Sequence, residues 1–177
     1  MMGSKILIQN YAMTGMTPGS VLEAVNHQIC ENNREEMFVT VWLGILEIST
    51  GRLIAANAGH EYPVLKTPDG AYELLKDRHG FVIGGMSGIS YPSYELKLEP
   101  GSRLFLYTDG LPEATNAENC MLGTEGMLAA LNAEPEATPE PLLHNVRKAV
   151  NGFVKDAEQF DDLTMLCLEY RGPREQS

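Results

Sequence analysis

The segment from Met37 to Ile48 constrains the fold more than any other, because nearly every position in it is apolar. Alternate side chains of a strand point to opposite faces, so a strand of this composition requires apolar cover on both faces. Thr40 and Gly44 interrupt the segment, and it is shorter than the roughly 20 residues that span a bilayer. It therefore predicts a buried strand in the middle of a layered, soluble fold.

Composition narrows the class of protein. The chain has 177 residues, of which 44% are hydrophobic, and this suits one domain over residues 1–177. Its 13 basic and 24 acidic residues give a net charge of −11, which would repel nucleic acid. The three cysteines are far apart, and the start lacks the basic flank and cleavage site of a signal peptide. A cytoplasmic protein without membrane contact is expected.

Turn sequences and Thr-Pro pairs divide the chain into strands and helices. Short connections containing Gly imply antiparallel pairing of neighbouring strands. A Thr followed by Pro at the first helical position predicts a helix start at two places. The predicted strands are 37–48, 52–57, 63–66, 72–75, 91–98, 103–108 and 163–169, and the predicted helices lie at 5–11, after 17, at 124–131 and after 138. This pattern indicates α+β layering.

Carboxylates stand where two predicted strands meet a loop. Asp109 directly follows one strand, and Asp161 and Asp162 directly precede another. If those strands are antiparallel neighbours, these carboxylates share one rim of the sheet. Carboxylate oxygens are natural ligands of Mg²⁺ or Mn²⁺, which activate water in phosphoryl displacement. On spacing alone the plainer interpretation is favoured, in which Asp109 starts a turn and Asp161 caps a loop.

Three further polar positions have two interpretations each. His60 could be a general acid or a metal ligand, but hydrogen bonding within its own tight bend is favoured. Glu113 could reach back toward a site at Asp109, or stabilise the first turn of a helix. Residues 34–36, Arg-Glu-Glu, could contact a partner or form a solvated loop.

Five short segments carry a resemblance that none of them could carry alone. They are Met37-Phe38-Val39-Thr40, Asn57-Ala58-Gly59-His60 with Pro63, Gly84-Gly85, Glu99-Pro100-Gly101 leading into Leu106-Tyr107-Thr108-Asp109-Gly110, and Asp161-Asp162-Leu163-Thr164. In this order and at these distances they resemble the PPM-type metal-dependent serine/threonine protein phosphatases. Within that family the resemblance is to the SpoIIE-like bacterial branch, and it spans nearly the whole chain.

The resemblance implies both a fold and a reaction. The fold is a four-layer α/β/β/α sandwich of two antiparallel sheets flanked by helices. The reaction is hydrolysis of phosphoserine or phosphothreonine on a bacterial regulatory protein, such as an anti-sigma-factor antagonist. The resemblance also implies that Asp109 and Asp161 are catalytic ligands of two Mn²⁺ or Mg²⁺ ions, with Asp162 in support.

The front of the domain departs from the family pattern. Relatives begin with a strand that carries a Gly-Asp metal ligand, and this sequence opens after that strand, so a domain incomplete at its N-terminus is expected. Because that ligand is missing, weak or absent activity of this chain is expected. The missing strand would also leave a sheet edge unpaired, which predicts a homodimer. The alternative is a non-catalytic PPM-like regulatory interaction module.

Overall fold

The computed structural model describes residues 8–13, 15–32, 37–155 and 162–173. In chain order the elements are α1 (Pro18–Asn32), β1 (Val41–Glu47), β2 (Arg52–Ala58), β3 (Val64–Lys66), β4 (Tyr72–Leu74), β5 (His79–Gly80), β6 (Tyr94–Lys97), β7 (Arg103–Tyr107), α2 (Gly123–Asn132), α3 (Pro139–Val154) and β8 (Met165–Glu169). Residues 8–12 are also helical, and they overlap the helix predicted at 5–11. None of the described helices has the length and apolar character needed to cross a membrane.

The chain forms two compact units, each with one sheet. The first unit extends to His60 and resumes from Asp77 to Leu98, and the second consists of Glu61–Lys76 and Glu99–Gly172. Both sheets have helices beside them, so the predicted α+β class with two sheets and flanking helices is confirmed. The expectation of one domain over residues 1–177 stays a prediction.

In the first unit β2 is the central strand. It pairs antiparallel with β1 over seven residue pairs on one side, and with β6 on the other. β5, which the sequence pattern did not predict because it has only two residues, pairs in parallel with the end of β2. The apolar face of α1 then covers this sheet through three fully buried side chains, Val21, Leu22 and Val25.

The prediction that the Met37–Ile48 strand has apolar cover on both faces is wrong for the described part of the chain. There β1 pairs only with β2, and its side chains are partly or fully exposed. The physical reason lies in β2, where Ala55, Ala56 and Ala58 are completely buried. Small side chains allow a helix to approach closely, so β2 takes the central place and the bulkier β1 lies beside it.

The start of α1 packs closely against the segment that leads into β6. The backbone N–H of Gly19 donates to Ser93 Oγ at 2.9 Å. A Cβ at Gly19 would lie 2.0 Å from the carbonyl oxygen of Tyr91, well inside van der Waals contact. Only glycine therefore fits at this position without moving the backbone.

Tyr91 provides a test of the first unit's core through pH. Its ring is buried, and its hydroxyl has no hydrogen-bond partner among the described residues. Burial, followed by the charges of Cys30 and Glu23, raises the pKa of Tyr91 to about 12. Because the unfolded chain loses this proton first, near pH 10, the stability linked to Tyr91 is present below about pH 10 and is lost as pH rises toward 12.

We expect the unfolding free energy of Tyr91→Phe to fall less between about pH 10 and pH 12 than that of the parent. At pH 7 the variant should be as stable as the parent or more stable by up to about 1 kcal/mol, because an unsatisfied buried hydroxyl is removed. Urea unfolding at several pH values measures both effects. Tyr11→Phe, at a partly exposed tyrosine of the same unit, is the control. If the unfolding free energy of Tyr91→Phe fell as steeply with pH as that of the parent, the raised pKa of Tyr91 would be contradicted.

The second unit contains an antiparallel sheet in the order β4-β3-β7-β8. Its core has ten buried side chains, namely Val64, Tyr72, Phe105, Tyr107, Leu111, Met127, Leu131, Leu142, Val146 and Val150. Three of them, Leu142, Val146 and Val150, lie on α3, which begins at Pro139 after an extended Thr138, as the Thr-Pro pair predicts. β7 and β8 are antiparallel neighbours from Arg103↔Glu169 to Tyr107↔Met165, which confirms the pairing that the metal-site prediction requires.

Candidate metal centre

The candidate site lies where β7 ends and β8 begins. After the last strand pair, the backbone N–H of Thr108 donates to the carbonyl oxygen of Thr164 at 3.1 Å. The Thr108 hydroxyl donates to the carbonyl oxygen of Asp162 at 3.2 Å, and it accepts the N–H of Thr164 at 3.3 Å. Asp109 and Asp162 therefore stand on backbone segments that are bonded to each other through Thr108. Asp161 lies outside the described residues.

The Asp109 side chain is exposed at the first position of a tight turn. Its Oδ1 atom accepts the N–H of Gly110 at 3.0 Å, and its carbonyl oxygen accepts the N–H of Glu113 at 3.0 Å. Residues 109–113 form turns and not a helix, so the helix-stabilising role considered for Glu113 is wrong. Asp109 therefore does have the predicted role in a turn. Its hydrogen bond with the N–H of Gly110 uses only Oδ1, so the second carboxylate oxygen takes no part in that bond.

Negative charge is present on both sides of β7. Asp162 lies on the β8 side, while Glu61 precedes β3, which pairs with β7 through Val64↔Phe105. Burial and then the charge of Glu61 raise the pKa of Tyr107, the last residue of β7, to about 12. A carboxylate on each flank of this strand end makes the rim favourable for a cation.

The described donors fit a hard divalent cation, although they form only part of its shell. Asp109 and Asp162 offer carboxylate oxygens at exposed positions, and oxygen is the ligand atom that Mg²⁺ and Mn²⁺ prefer. Within the described ranges, no three His, Cys, Asp or Glu side chains come close enough to hold a metal by themselves. Such ions commonly keep several water ligands, so two protein carboxylates are compatible with a site.

A second polar cluster surrounds a buried carboxylate in the first unit. The Asp77 side chain is only 1% exposed. It accepts a hydrogen bond from the Tyr94 hydroxyl at 2.7 Å and from Asn57 Nδ2 at 3.2 Å, and His79 Nε2 lies 3.4 Å away. Tyr94 in turn accepts from Trp42 Nε1 at 2.8 Å. Burial, followed by the bond to Asp77, raises the pKa of Tyr94, so this hydroxyl keeps the proton that it donates.

This cluster holds the bend that contains His60. Asn57 Nδ2 donates to the carbonyl oxygen of His60 at 3.0 Å, and the N–H of His60 donates to Asn57 Oδ1 at 2.8 Å. The ring Nδ1 of His60 lies 3.3 Å from Thr40 Oγ1. The backbone of His60 is thus hydrogen-bonded within its own bend, whereas its ring contacts Thr40, which lies outside that bend. Residues 34–36, considered as a partner contact, lie outside the described residues.

Sequence reasoning missed both Asp77 and the hydroxyl of Thr108. Asp77 stands in the polar run Lys76-Asp77-Arg78-His79, which looks like any solvated loop. Its partners Asn57 and Tyr94 are 20 and 17 residues away, so no local pattern marks the contact. Thr108 did carry a signal, since a β-branched hydroxyl residue directly before Asp109 can bond the neighbouring strand.

Comparisons with known proteins bear on the family and the fold of the chain. The sequence profile of the family described as Stage II sporulation protein E (SpoIIE) matches residues 1–171. Protein IcfG of Synechocystis sp. is 31% identical over 138 residues, which cover 78% of this chain and 22% of that protein. Phosphoserine phosphatase RsbU of Bacillus subtilis is 23% identical over 166 residues, which cover 93% of this chain and 48% of that protein. The chain thus spans less than half the length of these relatives.

Solved structures share the fold. The RsbU and RsbW domains of a Mycobacterium tuberculosis protein match with a TM-score of 0.78 and 22% identity, over 98% of this chain and 47% of that one. The manganese-presoaked phosphatase domain of the cell fate determinant SpoIIE from Bacillus subtilis matches with a TM-score of 0.68 and 13% identity, over 98% of this chain and 76% of that one. At these identities the likeness establishes the fold alone.

Proposed function

This chain belongs to the SpoIIE family, and from that membership we propose that it is the catalytic part of a PPM-type, metal-dependent serine/threonine protein phosphatase. The observation that carries the proposal is the bonded end of β7 and β8, where Asp109 and Asp162 stand on adjoining segments. The similarity to a phosphoserine phosphatase supports the substrate class.

The proposed ligands are Asp109 and Asp161, with Asp162 in support, and the proposed ions are two Mn²⁺ or Mg²⁺. When bound, such ions acidify a water molecule and neutralise charge on the transferred phosphoryl group. In this chain, the N–H of Gly110 orients the Asp109 carboxylate, and the exposed position leaves it accessible to a phosphorylated side chain. No protein nucleophile is required.

The proposed substrate is a phosphorylated bacterial regulatory protein, such as an anti-sigma-factor antagonist, and the proposed setting is the cytoplasm. The chemistry of the surface fits a protein substrate better than nucleic acid, because the net charge is −11.

We also propose a homodimer. It is supported by β1, which among the described strands pairs on one side only and carries the partly exposed Ile45. Light scattering of the purified protein measures this directly.

Mn²⁺-dependent hydrolysis of a phosphoserine peptide by the full-length protein is the expected result that tests the activity. Chelation should remove the turnover, and added Mn²⁺ should restore it, because the donors described are oxygen atoms suited to that ion. Parallel assays with p-nitrophenyl phosphate separate chemistry from peptide recognition. Turnover that persists in excess chelator would contradict the proposal.

A non-catalytic interaction module is the second candidate. This candidate predicts binding of a regulatory protein with no release of phosphate at any Mn²⁺ concentration. The same assay therefore decides between the two functions.

A further inference from the structure

Thr108 connects the two strand ends through its side chain as well as its backbone. Its N–H donates to Thr164, its hydroxyl donates to the carbonyl oxygen of Asp162, and the same oxygen accepts the N–H of Thr164. A hydroxyl can donate one hydrogen bond and accept two, so this one side chain satisfies two backbone groups of the facing segment, the carbonyl of Asp162 and the N–H of Thr164.

The position of the Thr108 hydroxyl matters because it lies beyond the last paired residues of β7 and β8. The last β7–β8 pair is Tyr107↔Met165, and Asp162 lies three residues before Met165. Beyond that pair, the Thr108 hydroxyl is the group that ties the carbonyl of Asp162 to the end of β7. The distance between the backbones at Asp109 and Asp162 therefore depends on a side chain that is not itself a carboxylate.

We propose that Thr108 is a positioning residue of the metal centre. Its hydroxyl sets the separation between Asp109 and Asp162, and in this way it raises the affinity of the site for a divalent cation. The inference rests on the proposed phosphatase function. It gives Thr108 no contact with the substrate, since its proton is already donated to a backbone carbonyl.

Thr108→Val and Thr108→Ser separate the hydroxyl from the shape of the side chain. Valine keeps the β-branched shape and loses both side-chain hydrogen bonds, whereas serine keeps the hydroxyl. We expect valine to weaken Mn²⁺ binding by about tenfold, the effect of losing one or two ordinary hydrogen bonds, and serine to stay within about twofold of the parent. Calorimetry with Mn²⁺ alone measures the affinity, and the Mn²⁺ concentration that gives half-maximal phosphatase activity should rise by a similar factor in the valine variant.

A second readout needs no metal and no activity. Hydrogen exchange at the amide of Thr164 should be about tenfold faster in Thr108→Val than in Thr108→Ser, because that amide loses its acceptor. Thr115→Val is the matched control, since the Thr115 hydroxyl also donates to a backbone carbonyl, that of Glu113 at 2.7 Å. This control should change neither Mn²⁺ affinity nor exchange at Thr164.

The outcomes separate the inference from the function on which it rests. Unchanged Mn²⁺ affinity in Thr108→Val, or an equal loss in Thr108→Ser, would overturn the positioning role. If Asp109→Ala leaves Mn²⁺ affinity unchanged, the metal centre itself is misplaced and the proposed function loses its support. Faster exchange at Thr164 in the valine variant would then still show that Thr108 holds the segment.

Discussion

In the full-length protein, replacing Asp109 with Ala is expected to lower kcat/KM for metal-dependent phosphate release by at least about 100-fold. The carboxylate stands exposed at the end of β7, beside the segment that carries Asp162. Removing it takes one charged ligand away from the metal centre, and a divalent cation binds oxygen sites largely through such charges. Initial rates against Mn²⁺ concentration measure the loss.

Asp109→Asn distinguishes a ligand from a turn residue. Asparagine is an equally good turn residue, and its side-chain oxygen can still accept the N–H of Gly110. We therefore expect this variant to keep its unfolding free energy within about 0.5 kcal/mol of the parent while losing most of its turnover and Mn²⁺ affinity. Asp69→Asn, at an exposed turn of the same unit, is the matched control. Full turnover in Asp109→Asn would mean that Asp109 serves only the turn.

Asp77→Ala is expected to destabilise the protein by about 3 kcal/mol or more, the usual result of removing one partner from a buried charged network. The change would leave the Tyr94 hydroxyl and one N–H of Asn57 without the acceptor they use now. The bend that Asn57 closes onto His60 should loosen as well. Thermal unfolding should show a Tm lower by roughly 10 °C in a chain of this size.

Two further variants sharpen that test. Asp77→Asn keeps the size and one acceptor oxygen, so it should cost less than the alanine change. Glu31→Ala is the control, because Glu31 is also paired with a histidine, His27 at 3.5 Å, but its side chain is 61% exposed. An exposed pair contributes about 0–1 kcal/mol. Equal effects at Asp77 and Glu31 would show that burial does not decide the strength of the Asp77 contacts.

Local sequence was sufficient where structure depends on near neighbours in the chain. Thr138-Pro139 marks the start of α3, because proline needs no backbone donor at the first helical position. The turn at Asp109 likewise follows from residues within a few positions. The adjacency of β7 and β8 is non-local, and it was predicted only as the condition under which the carboxylates would share a rim.

The sequence by itself determined the type and approximate bounds of most elements, the α+β class, and the strand ends at which Asp109 and Asp162 stand. Only the tertiary structure decided that β2 and not the more apolar β1 is central, that Asp77 is buried among Tyr94 and Asn57, and that Thr108 ties two strand ends together. Periodicity and turn residues act over a few positions, whereas these contacts join residues 17 to 56 positions apart. Their formation depends on strand register and on side-chain volumes in the completed core, and no local pattern encodes either.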